Sequence, residues 1–149
     1  MQAVKDLSHA LERWGVAELK PRTDGRFSVA HDGDRRLDVH PLADGRLILE
    51  VHLISLPEPG AARLALLERA LRFSTVRMPT RHDILCLSPD ADGLLLQCEI
   101  PARAGPAAVE HALEQFLNAA DAWWTALGLG VEVVTHRPAA PARLVTVLP

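Results

Sequence analysis

Seven histidines, His9, His31, His40, His52, His82, His111 and His136, and two cysteines, Cys86 and Cys98, are the residues from which a metal site or an acid–base centre would be built in this chain. Their spacing assembles neither. There is no HExxH, CxxC or helical His pair, and two thiols without a histidine at ligand spacing leave zinc short of ligands. One arrangement sketches a site: His40 and His52 facing each other across a hairpin, with Asp38 or Glu50 beside them. Its competitor is a set of polar residues on the open face of a sheet. No serine stands in a nucleophile elbow, and no P-loop or GxGxxG opens a helix. Gly128-Leu129-Gly130 follows a helical pattern, the place of a cap rather than of a phosphate cradle. Asp83 and Asp90 border a strand and a turn and read as solvated acids. Trp123 and Trp124 lie about 100° apart on a helix, so only one can point squarely into the core; either both pack at the core's edge or one contributes to an exposed apolar patch. Neither catalysis, a metal nor any other cofactor is expected.

Composition narrows the partners. At 149 residues the chain is long enough for one domain with one core. A net charge of −3 and a pI near 6.1 leave no basic footprint for nucleic acid or an anionic membrane surface. No run approaches the length of a membrane span, and Met1 to Asp6 lacks the basic and apolar blocks of a secretory signal, so a cytoplasmic protein is expected. Positive charge is almost entirely Arg, with Lys5 and Lys20 the two lysines, a bias expected of a GC-rich bacterium. Cys86 and Cys98 have the same parity in the two runs flanking Asp92-Gly93; they are expected to share a sheet face as small hydrophobes, not as a disulfide.

The elements follow from four Asp-Gly pairs, Asp24-Gly25, Asp32-Gly33, Asp44-Gly45 and Asp92-Gly93, each beside alternating apolar residues. Val4, Leu7, Leu11 and Trp14 mark an amphipathic first helix ended by Gly15, with Lys5, Asp6, Glu12 and Arg13 on its other faces. Phe27 and Val29, Leu37 and Val39, and Leu47, Leu49, Val51 and Leu53 mark three strands; the last shows Ile48, Glu50, His52 and Ile54 on its back. After Pro57 and Pro59, Leu64, Leu66, Leu67, Ala70, Leu71 and Phe73 give a second helix whose apolar arc is wider than one sheet requires. Ile84 to Leu87 and Leu94 to Ile100 are nearly continuously apolar, the pattern of strands covered on both faces. Pro106 opens, and Gly128 closes, a third helix carrying Val109, Leu113, Phe116, Leu117, Ala120, Trp124 and Leu127. Beyond it, Val131 to Thr135 and Leu144 to Leu148 read as strand-like pieces around Arg137-Pro138-Ala139-Ala140-Pro141, within a tail over residues 131–149 that follows a domain over 1–130.

This layout resembles the class I type III secretion chaperones. The resemblance runs from about Val4 to Leu127 through Trp14-Gly15, Leu19, Asp24, Val29, Asp32, Leu37 and Val39, the Leu49 to Pro57 strand and break, Leu66-Leu67, and Leu113, Phe116, Ala119, Ala120 and Trp123. The chain departs from the family pattern in the bulky, basic stretch Arg72 to Arg81 with Pro79, and in the length after Gly130. The resemblance implies an α+β protomer of helix, three strands, helix, two strands, helix, its helices packed on a twisted antiparallel sheet. It also implies a homodimer that binds the N-terminal segment of a secreted effector protein in extended form, without ATP or metal. On it, Leu7, Leu11, Phe27, Val29, Ile48 and Ile54 are expected to form the partner-binding groove, and Leu67, Leu71, Ile84, Leu85 and Cys86 the dimer seam. The alternatives are a small enzyme or ligand-binding domain using the His40 and His52 face, and a regulatory interaction domain of the same fold.

Overall fold

The computed structural model describes residues 2–15, 21–31, 35–77, 82–129 and 144–145. Its elements run α1 (Gln2–Arg13), β1 (Phe27–His31), β2 (Arg36–Pro41), β3 (Leu47–Ser55), α2 (Ala61–Arg77), β4 (Ile84–Leu87), β5 (Gly93–Ile100), α3 (Pro106–Ala126) and a two-residue β6 (Leu144–Val145). The strands form one sheet in the order β4-β5-β3-β2-β1-β6, and every neighbouring pair is antiparallel. The expected α+β order holds, and of the tail's two strand-like pieces Leu144–Val145 pairs with β1; Val131 to Thr135 lies outside the described residues.

One face of the sheet is apolar because each strand alternates. Phe27 and Val29, Leu37 and Val39, Leu47, Leu49 and Val51, and Leu96 and Ile100 are buried on it, against Leu7 and Leu11 of α1 and Val109, Leu113, Phe116 and Ala120 of α3. Burying a side chain of this size contributes about 1.5 to 3 kcal/mol, so this layer carries the protomer. Asp6, placed by periodicity on the polar side of α1, is buried there; Gln2 Nε2 donates to its Oδ1 at 2.8 Å, while its Oδ2 has no hydrogen-bond partner among the described residues.

The turns obey two different rules. Ahead of β1 and between β2 and β3, Gly25 and Gly45 adopt φ of 76° and 87°, and the preceding Asp24 and Asp44 accept the backbone N–H of Arg26 and Arg46, both at 3.1 Å. The Arg46 backbone N–H and then the Arg46 side chain, whose Nε donates to Oδ2 at 2.7 Å, hold the Asp44 carboxyl below its usual range. The β4–β5 hairpin is closed instead by Ser88, whose Oγ accepts the N–H of Asp92 and Gly93 at 3.1 and 2.9 Å. Its left-handed residue is Ala91, at φ 55°. Gly93 is required for another reason: a Cβ there would lie 2.6 Å from His52 Nε2 and 3.3 Å from the Ile54 carbonyl.

Trp123 and Trp124 are both fully buried, where only one was expected to point squarely into the core. Phe73 of α2 meets Trp123 edge-on with centroids 4.7 Å apart, so α2 covers the first ring. The second lies under the Arg35 guanidinium at 4.1 Å, and its Nε1 donates to the Leu53 carbonyl at 3.1 Å. Two surfaces, rather than one, receive the C-terminal end of α3. No exposed tryptophan patch results.

Candidate functional site

The back of the sheet is the first surface free to meet a partner. Register sets Asp38 beside Glu50 and His40 beside Ile48 on β2 and β3, then Glu50 beside Gln97 and His52 beside Leu95 across β5, and Cys86 beside Leu95 and Ile84 beside Gln97 on β4. The centre of this face is polar, and His40 Nε2 is buried there without a hydrogen-bond partner among the described residues. Gln97 Nε2 donates to Glu50 Oε2 at 2.6 Å, and His40 Nε2 stands 3.5 Å from Glu50 Oε1. Around it lie Ile48, Leu95, Cys86 and Ile84.

His40 and His52 therefore do not face each other: His40 is opposite Ile48, and His52, exposed, is four residues further along β3. Among the described residues no three His, Cys, Asp or Glu side chains converge in a geometry that would hold a metal ion. A groove of about 700 Å³ between the end of β5 and α3 is lined in part by His82, Asp83, Cys98, Glu99, His111 and Phe116; the sequence reading did not single it out, because its walls come from segments distant in the chain.

The expected partner-binding residues divide sharply. Leu7, Leu11, Phe27 and Val29 are buried in the protomer core, because the amphipathic stripe of α1 and the inward positions of β1 are consumed by packing against α3 and β2. Ile48 alone of the six lies half-buried on the back of the sheet. Ile54 was expected beside it, but the register slips between His52 and Ile54, pairing Ile54 with the buried Leu94 and setting it against the core. A bulge of one residue moves every later side chain to the other face.

Exposed apolar side chains also lie on α2 and β4. Of the 17 residues of α2 only Ala70 is buried; Leu66, Leu67 and Phe73 lean on the core, whereas Leu64, Leu71 and Val76 are 69%, 65% and 78% exposed. Ile84 and Leu87 of β4 are 65% and 50% exposed. Of the expected seam residues, Leu71 and Ile84 are thus on the surface, Leu85 and Cys86 half-buried, and Leu67 half-buried against its own protomer. Leu64, Val76 and Leu87 are exposed as well; the first was visible in the wide arc of α2, while Val76 sat in a stretch that reads as basic.

The two cysteines lie on opposite faces, correcting their expected shared one. Cys86 is paired with Leu95 on the back, and Cys98 with Leu49 on the core side. In this hairpin each even-numbered residue of β4 meets an odd-numbered one of β5, so equal parity means opposite faces. Both thiols are free.

No curated protein matches the chain significantly in sequence. In backbone it is similar to the ExsC–ExsE complex, at 20% identity and a TM-score of 0.64, over 83% of this chain and 91% of that one. It is similar to the HopA1–SchA chaperone–effector complex at 17% identity and a TM-score of 0.60, over 82% and 92%. A third likeness is to the heterodimeric ExoU–SpcU complex from the type III secretion system of Pseudomonas aeruginosa, at 18% identity and a TM-score of 0.58, over 80% and 95%. At these identities the likeness is one of fold. Residues 5–124, from the first turn of α1 almost to the end of α3, match the profile of the Tir chaperone protein (CesT) family, and the chain belongs to that family.

Proposed function

We propose that this protein is a cytoplasmic secretion chaperone that works as a homodimer and holds the N-terminal segment of a type III effector in extended form. The family match over residues 5–124 carries this reading. The fold supports it: exposed apolar residues on α2 and on β4 suit a second copy, and a sheet whose back is bordered by Ile48, Leu95 and Ile84 suits an extended segment that adds main-chain hydrogen bonds at an edge and apolar side chains on a face. Binding of this kind needs no catalysis and no cofactor. No described helix is long and apolar enough to cross a membrane.

Co-purification with N-terminal fragments of candidate effectors, followed by limited proteolysis and mass spectrometry of the retained segment, tests the proposal. Ile48→Asp is expected to weaken retention at least about tenfold, since one apolar anchor contributes about 1.5 to 3 kcal/mol, with the protein still folded. Raising salt severalfold should leave the complex intact, because a net charge of −3 is too small to drive tight electrostatic capture. Dissociation in moderate salt with no effect of Ile48→Asp would move the site to the basic end of α2, from Arg72 to Arg77. Val29→Asp, which a surface groove would have tolerated, is instead expected to unfold the protomer.

A further inference from the structure

Asp38 and Glu50 are directly opposite each other on β2 and β3, so both carboxylates stand on the back of the sheet, in one row with Gln97 and Ile84. Like charges so placed destabilise a sheet. Among the described residues no Lys or Arg forms an ion pair with either acid, Arg36 on the same face included, and Arg46 is taken by Asp44 and Glu99. The repulsion is not relieved from within the protomer. Gln97 serves one oxygen of Glu50, and the Asp38 carboxylate has no hydrogen bond among the described residues. The second oxygen of Glu50 lies 3.5 Å from His40 Nε2, which is buried and unbonded, on side chains that are each 19% exposed. Buried polar atoms in folded proteins are nearly always bonded. This row therefore presents negative charge and unused acceptors on the face that the proposed function gives to a partner.

We infer that Asp38 and Glu50 together select a basic side chain, arginine above all, in the extended segment that the protein binds. That such a segment is bound rests on the chaperone reading above. A guanidinium has the donors to bridge two carboxylates whose Cβ atoms are about 5 Å apart across a strand pair. The apolar neighbours set the register. Ile48 precedes Glu50 by two residues on β3, and Leu95 lies opposite His52, two residues beyond Glu50. Two residues of strand span about 6.8 Å, which is also the spacing of side chains on one face of an extended segment laid along these strands. The pattern read is thus an apolar residue, any residue, a basic residue, any residue and an apolar residue. The cation is organic, because no three His, Cys, Asp or Glu side chains converge to hold a metal among the described residues. An ion pair formed with half-buried carboxylates beneath a bound segment is screened far less than an exposed one, so this selectivity agrees with a complex that resists salt.

The test selects binders from a library of random peptides displayed on phage, using the full chain and its Asp38→Asn/Glu50→Gln variant. Asp38→Asn alone, which touches no hydrogen bond of the protomer, is the second variant. The wild type is expected to enrich the apolar and basic pattern, and both variants to enrich apolar peptides without the basic residue. For one enriched peptide, replacing its basic residue by glutamine and neutralising the two acids should each weaken binding at least about tenfold. Making both changes should weaken it little more than either alone, since they remove one interaction. The unbound variants should resist urea at least as well as the wild type, because the repulsion is gone; a row with only a structural role would lose stability. Enrichment of apolar peptides by the wild type with no basic preference, additive losses in the cycle, or a lowered urea midpoint in Asp38→Asn overturns the inference and leaves the chaperone reading in place. A variant whose mass in light scattering differs from that of the wild type assigns the face to a second copy and overturns it as well. Enrichment of no peptide by the wild type overturns the chaperone reading and the inference together.

Discussion

Cys98 shows how a sheet position sets the chemistry of one side chain. Burial, and then the negative charges of Asp83 and Glu99, push its thiol from 9.0 up to about 11; burial and then Glu50 push Cys86 up as well. The charged form is disfavoured in the folded protein, so the stabilisation from Cys98 is complete below about pH 9, where the unfolded thiol is still protonated, and is lost as pH rises through about 11. The melting temperature of Cys98→Ala is therefore expected to fall less steeply than that of the wild type between those values. Iodoacetamide at pH 8 should label the folded wild type slowly and the denatured chain quickly. Gly93 supports a second expectation. A methyl group there crowds His52 Nε2, the end of an exposed side chain that can swing away, and also the Ile54 carbonyl, which cannot. Gly93→Ala is expected to cost about 1 to 3 kcal/mol, and pairing it with His52→Ala should recover only part of the loss in a double-mutant cycle read by chemical denaturation.

Among the elements, α2 departs furthest from what a single protomer needs. Its inward side is narrow, Ala70 with Leu66, Leu67 and Phe73, and its outward side carries leucine and valine where solvent would favour charge. Neighbouring positions on it therefore have opposite expected behaviour. Ala70→Asp buries an unpaired carboxylate and is expected to cost on the order of 3 kcal/mol or more, read as a large fall in melting temperature. Leu71→Asp, one residue on, should leave secondary structure intact and change only the state of association. Equal damage from both would place α2 wholly inside the protomer fold. The i,i+4 pair of Glu68 with Arg72, 2.6 Å apart, adds little to either outcome because both side chains are exposed.

For the molecule as a whole, α2 and β4 are expected to supply the seam of a homodimer. A stable seam buries on the order of 800 Å² per partner, and exposed Leu64, Leu71, Val76, Ile84 and Leu87 lie on the two elements that would supply it. Light scattering should report twice the 16.2 kDa protomer mass at micromolar concentration, and the melting temperature should rise with protein concentration, as mass action requires when folding and association are linked. A monomer at all accessible concentrations would leave those side chains to the effector instead.

Periodicity made the elements legible. The heptad-like stripes of the first and third helices, the alternation in β1 to β3 and the Asp-Gly turn at residues 44–45 each act over a few residues, and local sterics and hydrogen bonding decide them wherever the chain then packs. The resemblance drawn from their order led to the family to which the chain belongs. What periodicity could not assign is which apolar stripe is spent inside the protomer. Leu7, Leu11, Phe27 and Val29 read the same whether a stripe meets its own α3 or a partner, and only assembly of the sheet shows that α3 takes them. Faces also depend on register between strands rather than on order within one: the slip after His52 turns Ile54 toward the core, and the odd-to-even pairing of β4 with β5 parts Cys86 from Cys98. The same holds at the β1 edge, where residues more than a hundred positions apart become neighbours. Such contacts form when distant segments bury apolar area together, and no window of local sequence contains that free energy.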